Sequence, residues 1–116
     1  SSDLKLISQA VVVGDGKPFV GVLVTIDEDE LSRWRKQNNM GERPLKDLVK
    51  TPELRAAVQD VINEANKTVS HAEEIKKFRI LTKDLSEENG EITATMKVKR
   101  NVVIENYAKQ IERLYR

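Results

Sequence analysis

Two short apolar runs open the chain. Residues 9–13 form a β-branched run ending at Gly14, Asp15 and Gly16, and residues 20–26 form a second run of Val, Leu, Thr and Ile. This composition predicts two strands joined by a tight connection containing Pro18. The unbroken triplet Val11, Val12, Val13 predicts burial on both faces, so these strands should be the core. The linking GDGKPF has neither the four-residue spacing before Gly-Lys nor the following Ser or Thr that let a phosphate loop curl around an anion. It reads as a hairpin connection.

The period then changes. Asp27, with Glu30 three residues on, matches the reciprocal cap of a helix start, and the helix should run to about Gln37 with Leu31 and Trp34 facing inward. Asn38 and Asn39 would close it. Residues 41–50 predict a short connecting turn of helix around Leu45 and Leu48. Thr51, Pro52 and Glu53 make a strong helix start, and Leu54, Val58, Val61, Ile62 and Ala65 recur on one face through Asn66. That stripe predicts an amphipathic helix lying against the sheet. Residues 70–77, with His71, Glu73, Glu74, Lys76 and Lys77, read as a loop leading into a third strand over residues 78–81.

Residues 84–90 are acids, Ser, Asn and Gly, a composition suited to an exposed loop. Beyond them, Val103, Tyr107, Ile111 and Leu114 mark the inner stripe of a final helix that begins near Asn101, with Glu105, Lys109, Glu112 and Arg113 outward. Lys97, Lys99 and Arg100 fall just before that helix. A helix N-terminus carries partial positive charge and free N–H groups, so cations gathered there would suit a phosphate or a carboxylate.

Composition narrows the field. A chain of 116 residues makes one domain, large enough to bury roughly two-thirds of its unfolded surface. The net charge is +1 and aromatics are 4%, whereas a general nucleic-acid binder should be basic and carry stacking rings. Nucleic acid is therefore not an expected partner. The absence of cysteine removes disulfides, thiolate nucleophiles and thiolate metal sites. One histidine, His71, makes no metal site by itself, and it reads as a polar loop residue. No apolar run approaches the ~20 residues of a membrane span, and no signal peptide is visible.

The segment ITATMKVKRNVVIENYAKQIERLY resembles the C-terminal end of bacterial long-chain acyl-CoA synthetases, or long-chain fatty-acid–CoA ligases, of the AMP-forming, adenylate-forming superfamily. Most of that superfamily ends on Pro-Lys-Thr, two variable positions, Gly-Lys, two variable positions and Arg. The long-chain branch writes Leu-Thr-x-Thr-Leu-Lys-x-Lys-Arg. Ile92, Thr93, Thr95, Met96, Lys97, Lys99 and Arg100 fall on the second form. Met96 replaces the superfamily's glycine, as is usual in the long-chain branch, and Ala94 stands where that branch often has Pro. Residues 10–31 resemble the same family's strand, glycine turn and second strand, so the likeness covers nearly the whole chain from about Ile7.

The resemblance implies that Lys97 takes the catalytic lysine's position, on a loop exposed enough for a residue that must travel. Thr93, Thr95, Lys99 and Arg100 would support the substrate and phosphate loop, with Arg100 serving structure or docking and Lys99 a surface charge. It implies ATP, Mg and coenzyme A for the whole enzyme, a fatty acid as the acyl substrate, and a large N-terminal domain of the same chain as partner. No ligand is expected to stay tightly bound to this domain alone, and no metal ligand is assigned within it. The chain opens on Ser1 and Ser2 without an initiator methionine. It is expected to be a C-terminal domain spanning 1–116 and truncated on its N-terminal side, without the large domain, the hinge or the small domain's first hairpin, and inactive alone. The expected setting is cytoplasmic or peripheral to a membrane.

The fold class expected is α+β, a small mixed sheet of about three strands flanked by helices. Two other functions stay open from the residues. One is an adenylating domain that loads an acyl carrier protein, and the other is a non-enzymatic α+β interaction domain whose basic cluster meets an acidic patch.

Overall fold

The structure, a computed structural model, describes residues 6–14, 16–83, 85–95 and 97–115. Ser1, Ser2, Asp15, Asp84 and Met96, which enter the sequence argument, lie outside them. Strands β1 (Ile7–Val13), β2 (Val20–Ile26) and β3 (Ile75–Ile80) form one sheet in the order β1-β2-β3. β1 and β2 pair antiparallel, Val11 opposite Leu23 and Val13 opposite Gly21, so GDGKPF is a hairpin connection. β3 runs parallel to β2. A parallel neighbour needs a long crossover, which α1 (Glu28–Gln37), α2 (Leu45–Leu48) and α3 (Pro52–Asn66) supply. Helices α4 (Arg100–Asn106) and α5 (Ala108–Leu114) complete the α+β architecture that the sequence predicts.

Side chains alternate across a strand, and here each face of the sheet has its own core. Val22, Val24, Phe78 and Ile80 pack with Leu31, Leu48, Leu54, Val58 and Ile62. Val11, Val13 and Leu23 pack on the other side with Leu81, Leu85, Ile92, Val103, Ile111 and Leu114. β2 is thus buried on both faces. β1 is not: Val12 is 47% exposed between buried Val11 and Val13. The two-sided burial expected of the valine triplet belongs to the middle strand, because β1 lies at the sheet edge and helices on the Val12 side stop short of it.

Local chemistry explains most element ends. The Asp27 carboxylate accepts from the Glu30 N–H at 3.1 Å, but Glu30 pairs with Arg33 at 2.9 Å rather than turning back to the cap. Asn38 closes α1 by donating its amide to Trp34 O, and Asn39 takes φ 55°, a conformation Asn tolerates. Thr51 Oγ1 accepts from the Leu54 N–H at 3.3 Å and starts α3. The α3 stripe is buried through Ile62, whereas Ala65 is exposed, at the end of the helix and beyond the core.

Three further expectations shift. β3 begins at Ile75, three residues before the predicted start, because the Asn66 side chain brackets that residue: Ile75 N–H donates to Asn66 Oδ1 at 2.8 Å and Asn66 Nδ2 donates to Ile75 O at 3.0 Å. Lys76 and Lys77 therefore lie on the sheet edge, where cations discourage pairing with another chain. His71 sits exposed on a 3-10 turn (His71–Glu73), 3.6 Å from Glu74. Hydrogen bonding to Lys76 holds the Glu74 carboxyl below its ordinary value. The single final helix is bent into α4 and α5 at Tyr107, although Tyr107 N–H still bonds Val103 O and Ile111 N–H still bonds Tyr107 O. Neither Gly nor Pro stands at the bend, which keeps Val103, Ile111 and Leu114 in one core.

The end of α5 fastens the hairpin. A Cβ on Gly21 would lie 2.5 Å from Leu114 Cδ2, so the missing side chain is what lets α5 close on the sheet. The Tyr115 hydroxyl reaches Phe19 O at 2.8 Å and Val13 O at 3.1 Å. Its ring meets Phe19 at a centroid distance of 4.6 Å. Burial pushes the phenol above its ordinary value, with a backbone hydrogen bond at Gly21 pulling the other way. Tyr115→Phe keeps the ring and is expected to cost about 1 kcal/mol in urea unfolding at neutral pH. The folded chain holds the phenolic proton more tightly than the unfolded one, so this contribution is present below about pH 10 and lost as pH rises through the folded value. Wild type should lose more stability above about pH 10 than Tyr115→Phe does. Parallel curves for the two proteins would contradict the assignment.

Candidate functional site

Leu85 and Ile92 anchor the segment before α4 by sinking into the second core. Between them, Gly90 takes φ 71° and closes a turn through its N–H to Glu87 O at 3.0 Å. Glu87, Glu88 and Asn89 are exposed, as expected of this loop. Ile92 then pairs with Val98 in an antiparallel bridge, and Val98 packs into the core. Residues on either side of Val98 point the other way. Lys97 and Lys99 are accordingly exposed.

Hydrogen bonds inside this small hairpin define where Lys97 stands. The Thr93 N–H donates to Lys97 O at 2.8 Å, and the Lys97 N–H donates to Thr93 Oγ1 at 3.0 Å. Thr93 and Thr95 hydroxyls lie 2.9 Å apart. Thr93, Thr95 and Lys97 are therefore brought together, with the lysine's backbone fixed and its side chain in solvent. Among the described residues, no carboxylate pairs with its ammonium. Met96, which belongs to the same motif, lies outside the described residues.

Lys99 and Arg100 depart from the picture of three cations converging on a helix end. The Lys99 N–H donates to Glu91 O at 2.8 Å and its side chain is exposed. Arg100 turns to the sheet, where its Nε donates to Val12 O at 2.9 Å. The helix begins one residue earlier than predicted, so Arg100 belongs to α4 and points back over β1. That contact ties the start of α4 to β1.

The residue that sequence reasoning missed is Glu91. It is 1% exposed, and a buried carboxylate is costly unless hydrogen-bonded. One oxygen accepts from the Ser86 N–H at 3.1 Å, and the other accepts from Asn106 Nδ2 at 3.1 Å. Its own N–H donates to Ser86 O at 3.0 Å, while its carbonyl takes the Lys99 N–H. In a stretch crowded with acids, nothing marks this one as buried except its place directly before Ile92. Next to it, Arg79, Thr82, Lys83, Asn106 and Gln110 line a polar cleft of about 550 Å³.

Comparisons with known proteins show the family of this chain. The whole chain, residues 1–116, matches the family model described as the AMP-binding enzyme C-terminal domain. It is 50% identical over 111 residues to the long-chain-fatty-acid–CoA ligase FadD15 of Mycobacterium tuberculosis, covering 95% of this chain and 18% of that protein. A Xenopus laevis long-chain-fatty-acid–CoA ligase, ACSBG2, is 35% identical over 127 residues, covering 95% of this chain and 17% of the relative. The chain spans about a fifth of the length of these curated relatives. Among solved structures, the adenylation domain of a carboxylate reductase from Mycobacterium chelonae superposes with a TM-score of 0.63 at 21% identity, covering 95% of this chain and 16% of that one. The A-PCP didomain of a carboxylic acid reductase from Segniliparus rugosus, in complex with AMP, has a TM-score of 0.62 at 21% identity, covering 96% and 14%. The chain belongs to the AMP-binding enzyme C-terminal domain family.

Proposed function

We propose that this chain is the C-terminal domain of a long-chain fatty-acid–CoA ligase and that Lys97 is its catalytic residue in acyl-adenylate formation. The observation that carries the reading is the exposed Lys97 side chain, held out by a hydrogen-bonded hairpin in a domain 50% identical to part of a protein named as such a ligase. In the first half-reaction a fatty-acid carboxylate oxygen attacks the α-phosphorus of ATP. The new bond joins acyl oxygen to phosphorus, and the bond to the bridging oxygen breaks to release pyrophosphate. The Lys97 ammonium neutralises charge developing on the α-phosphate and the attacking carboxylate. In the second half-reaction the coenzyme A sulfur attacks the acyl carbonyl carbon, AMP leaves with the bond electrons, and the thiol proton passes to solvent.

The hairpin suits that duty. Thr93 holds the backbone at Lys97, with the Thr95 hydroxyl beside it, so only the lysine side chain is left to order as the cleft closes, and electrostatic stabilisation is strongest when the donor is preorganised. Movement then belongs to the domain as a body, carried between half-reactions, rather than to a loose loop. Lys99 remains a surface charge and Arg100 a structural contact. Among the described residues no group of three or more His, Asp or Glu side chains is arranged to hold a metal ion. The magnesium that accompanies ATP is assigned to the rest of the ligase, as are the fatty-acid pocket and most of the ATP and coenzyme A contacts. The domain alone is expected to be inactive. Among the described residues no helix is long and apolar enough to cross a membrane.

Lys97→Ala in the full-length ligase is expected to slow adenylate formation ~100- to 1,000-fold, while thioester formation from pre-made adenylate stays near wild type. Pyrophosphate release and single-turnover thioester assays read the two steps separately, and equal loss in both would refute the role. Replacing coenzyme A with an acyl carrier protein in the second assay identifies the acceptor. Thr93→Val keeps the shape but removes the acceptor of the Lys97 N–H, a loss of about 1 kcal/mol or roughly five-fold in exchange protection at that amide. Hydrogen exchange measured by NMR checks it, and unchanged protection would show that the hydroxyl does not hold the hairpin.

A further inference from the structure

We infer that Glu91 and Asn106 are positioning residues for Lys97, an inference that rests on the adenylation role just proposed. The argument is geometric. Glu91 sits at the crossing of two loops: its carboxylate and N–H close residues 86–91 onto Ser86, and its carbonyl closes the base of the Lys97 hairpin through the Lys99 N–H. The second carboxylate oxygen joins that crossing to α4 through Asn106 Nδ2. Ile92, the next residue, forms the bridge to Val98 immediately beside Lys97.

Burial makes the arrangement selective. Both carboxylate oxygens face N–H donors, the fixed Ser86 N–H and the Asn106 amide, at 3.1 Å each, and a carboxylate satisfies both as they stand. Glutamine presents one acceptor and one NH2 group, and the NH2 would confront a donor. Either the NH2 faces the Ser86 N–H, or Asn106 turns its amide over and gives up its Nδ2 contact to Asn89 O at 3.5 Å; in both cases a bond that fixes residues 86–91 beside the hairpin is lost. A shift of about 1 Å in a reacting group is enough to cost ~100-fold in rate. Glu91 touches no substrate in this arrangement. It acts by fixing the height and tilt from which the Lys97 ammonium departs.

The test uses the full-length ligase with the half-reactions measured separately. Glu91→Gln is expected to slow adenylation roughly 10- to 100-fold, with thioester formation from pre-made adenylate within about two-fold of wild type. The pair Glu91→Gln with Asn106→Asp reverses donor and acceptor across the same contact at unchanged net charge, so adenylation should return to within about three-fold of wild type. Asn106→Ala, at an exposed position, strips one partner from the carboxylate and carries the same test should Glu91→Gln fail to fold. Adenylation as fast as wild type in Glu91→Gln and Asn106→Ala, in an enzyme that Lys97→Ala disables, would overturn the positioning role alone. Equal loss in both half-reactions without rescue by the swap would overturn it too. Full adenylation by Lys97→Ala would instead remove the reading on which it rests.

Discussion

Strand β2 is covered on both faces, and the placement of everything else follows from that constraint. A single strand between two cores must present apolar side chains at successive positions, which is why Val22, Leu23 and Val24 are all essentially inaccessible to solvent. Each such side chain contributes about 1.5–3 kcal/mol on burial. Opposite faces then need separate covers: α1 to α3 on one side, and α4 with α5 on the other. Gly21 is where the second cover comes nearest, since any side chain there would collide with Leu114. The Tyr115 hydroxyl, which donates its one proton within reach of the carbonyls at both ends of the hairpin connection, fastens the same contact.

That double cover also delivers the candidate site. The second core is completed by Leu85, Ile92 and Val98, all from the irregular segment before α4. Apolar anchors at both ends leave the intervening polar residues short spans to cross, and backbone bonds through Thr93 and Glu91 fill those spans. Lys97 is exposed for the same reason that Val98 is half-buried: they are neighbours on an extended stretch, and the pleat sends them opposite ways. An ammonium on this support is surface-bound in the isolated domain, where a lone charge contributes little. Its worth would arise only in a cleft that excludes water.

Charge is distributed to match. Lys76, Lys77 and Arg79 occupy the β3 edge, where a strand would otherwise offer unpaired backbone groups. Arg100 spends its Nε on a carbonyl of β1, tying the start of α4 to the opposite edge of the sheet. All three cations near the end of the motif are exposed, but Arg100 is tied to β1 through its Nε, and of the three only Lys97 is backed by paired threonine hydroxyls. The hairpin separates residues that look equivalent along the chain.

Local patterns alone were enough to locate β2, α1 and α3, because an apolar run, an Asp27 cap and a Thr51-Pro52 start act within a few residues of themselves. The inner stripe of the last helix was legible for the same reason, whereas the mixed sheet and the interest of Lys97 came from the resemblance to a family. What the chain by itself left undecided depends on partners far away in sequence. Asn66 extends β3 back to Ile75, the edge position exposes Val12, and Val12 O draws in Arg100 across 88 residues. Glu91 is the clearest case: its neighbours in sequence are those of a solvated acid, and only Ser86 and Asn106, assembled around it by folding, turn it into a buried acceptor. Short-range preferences select elements, but burial and hydrogen-bond satisfaction are properties of the closed structure, and tertiary contact alone decides them.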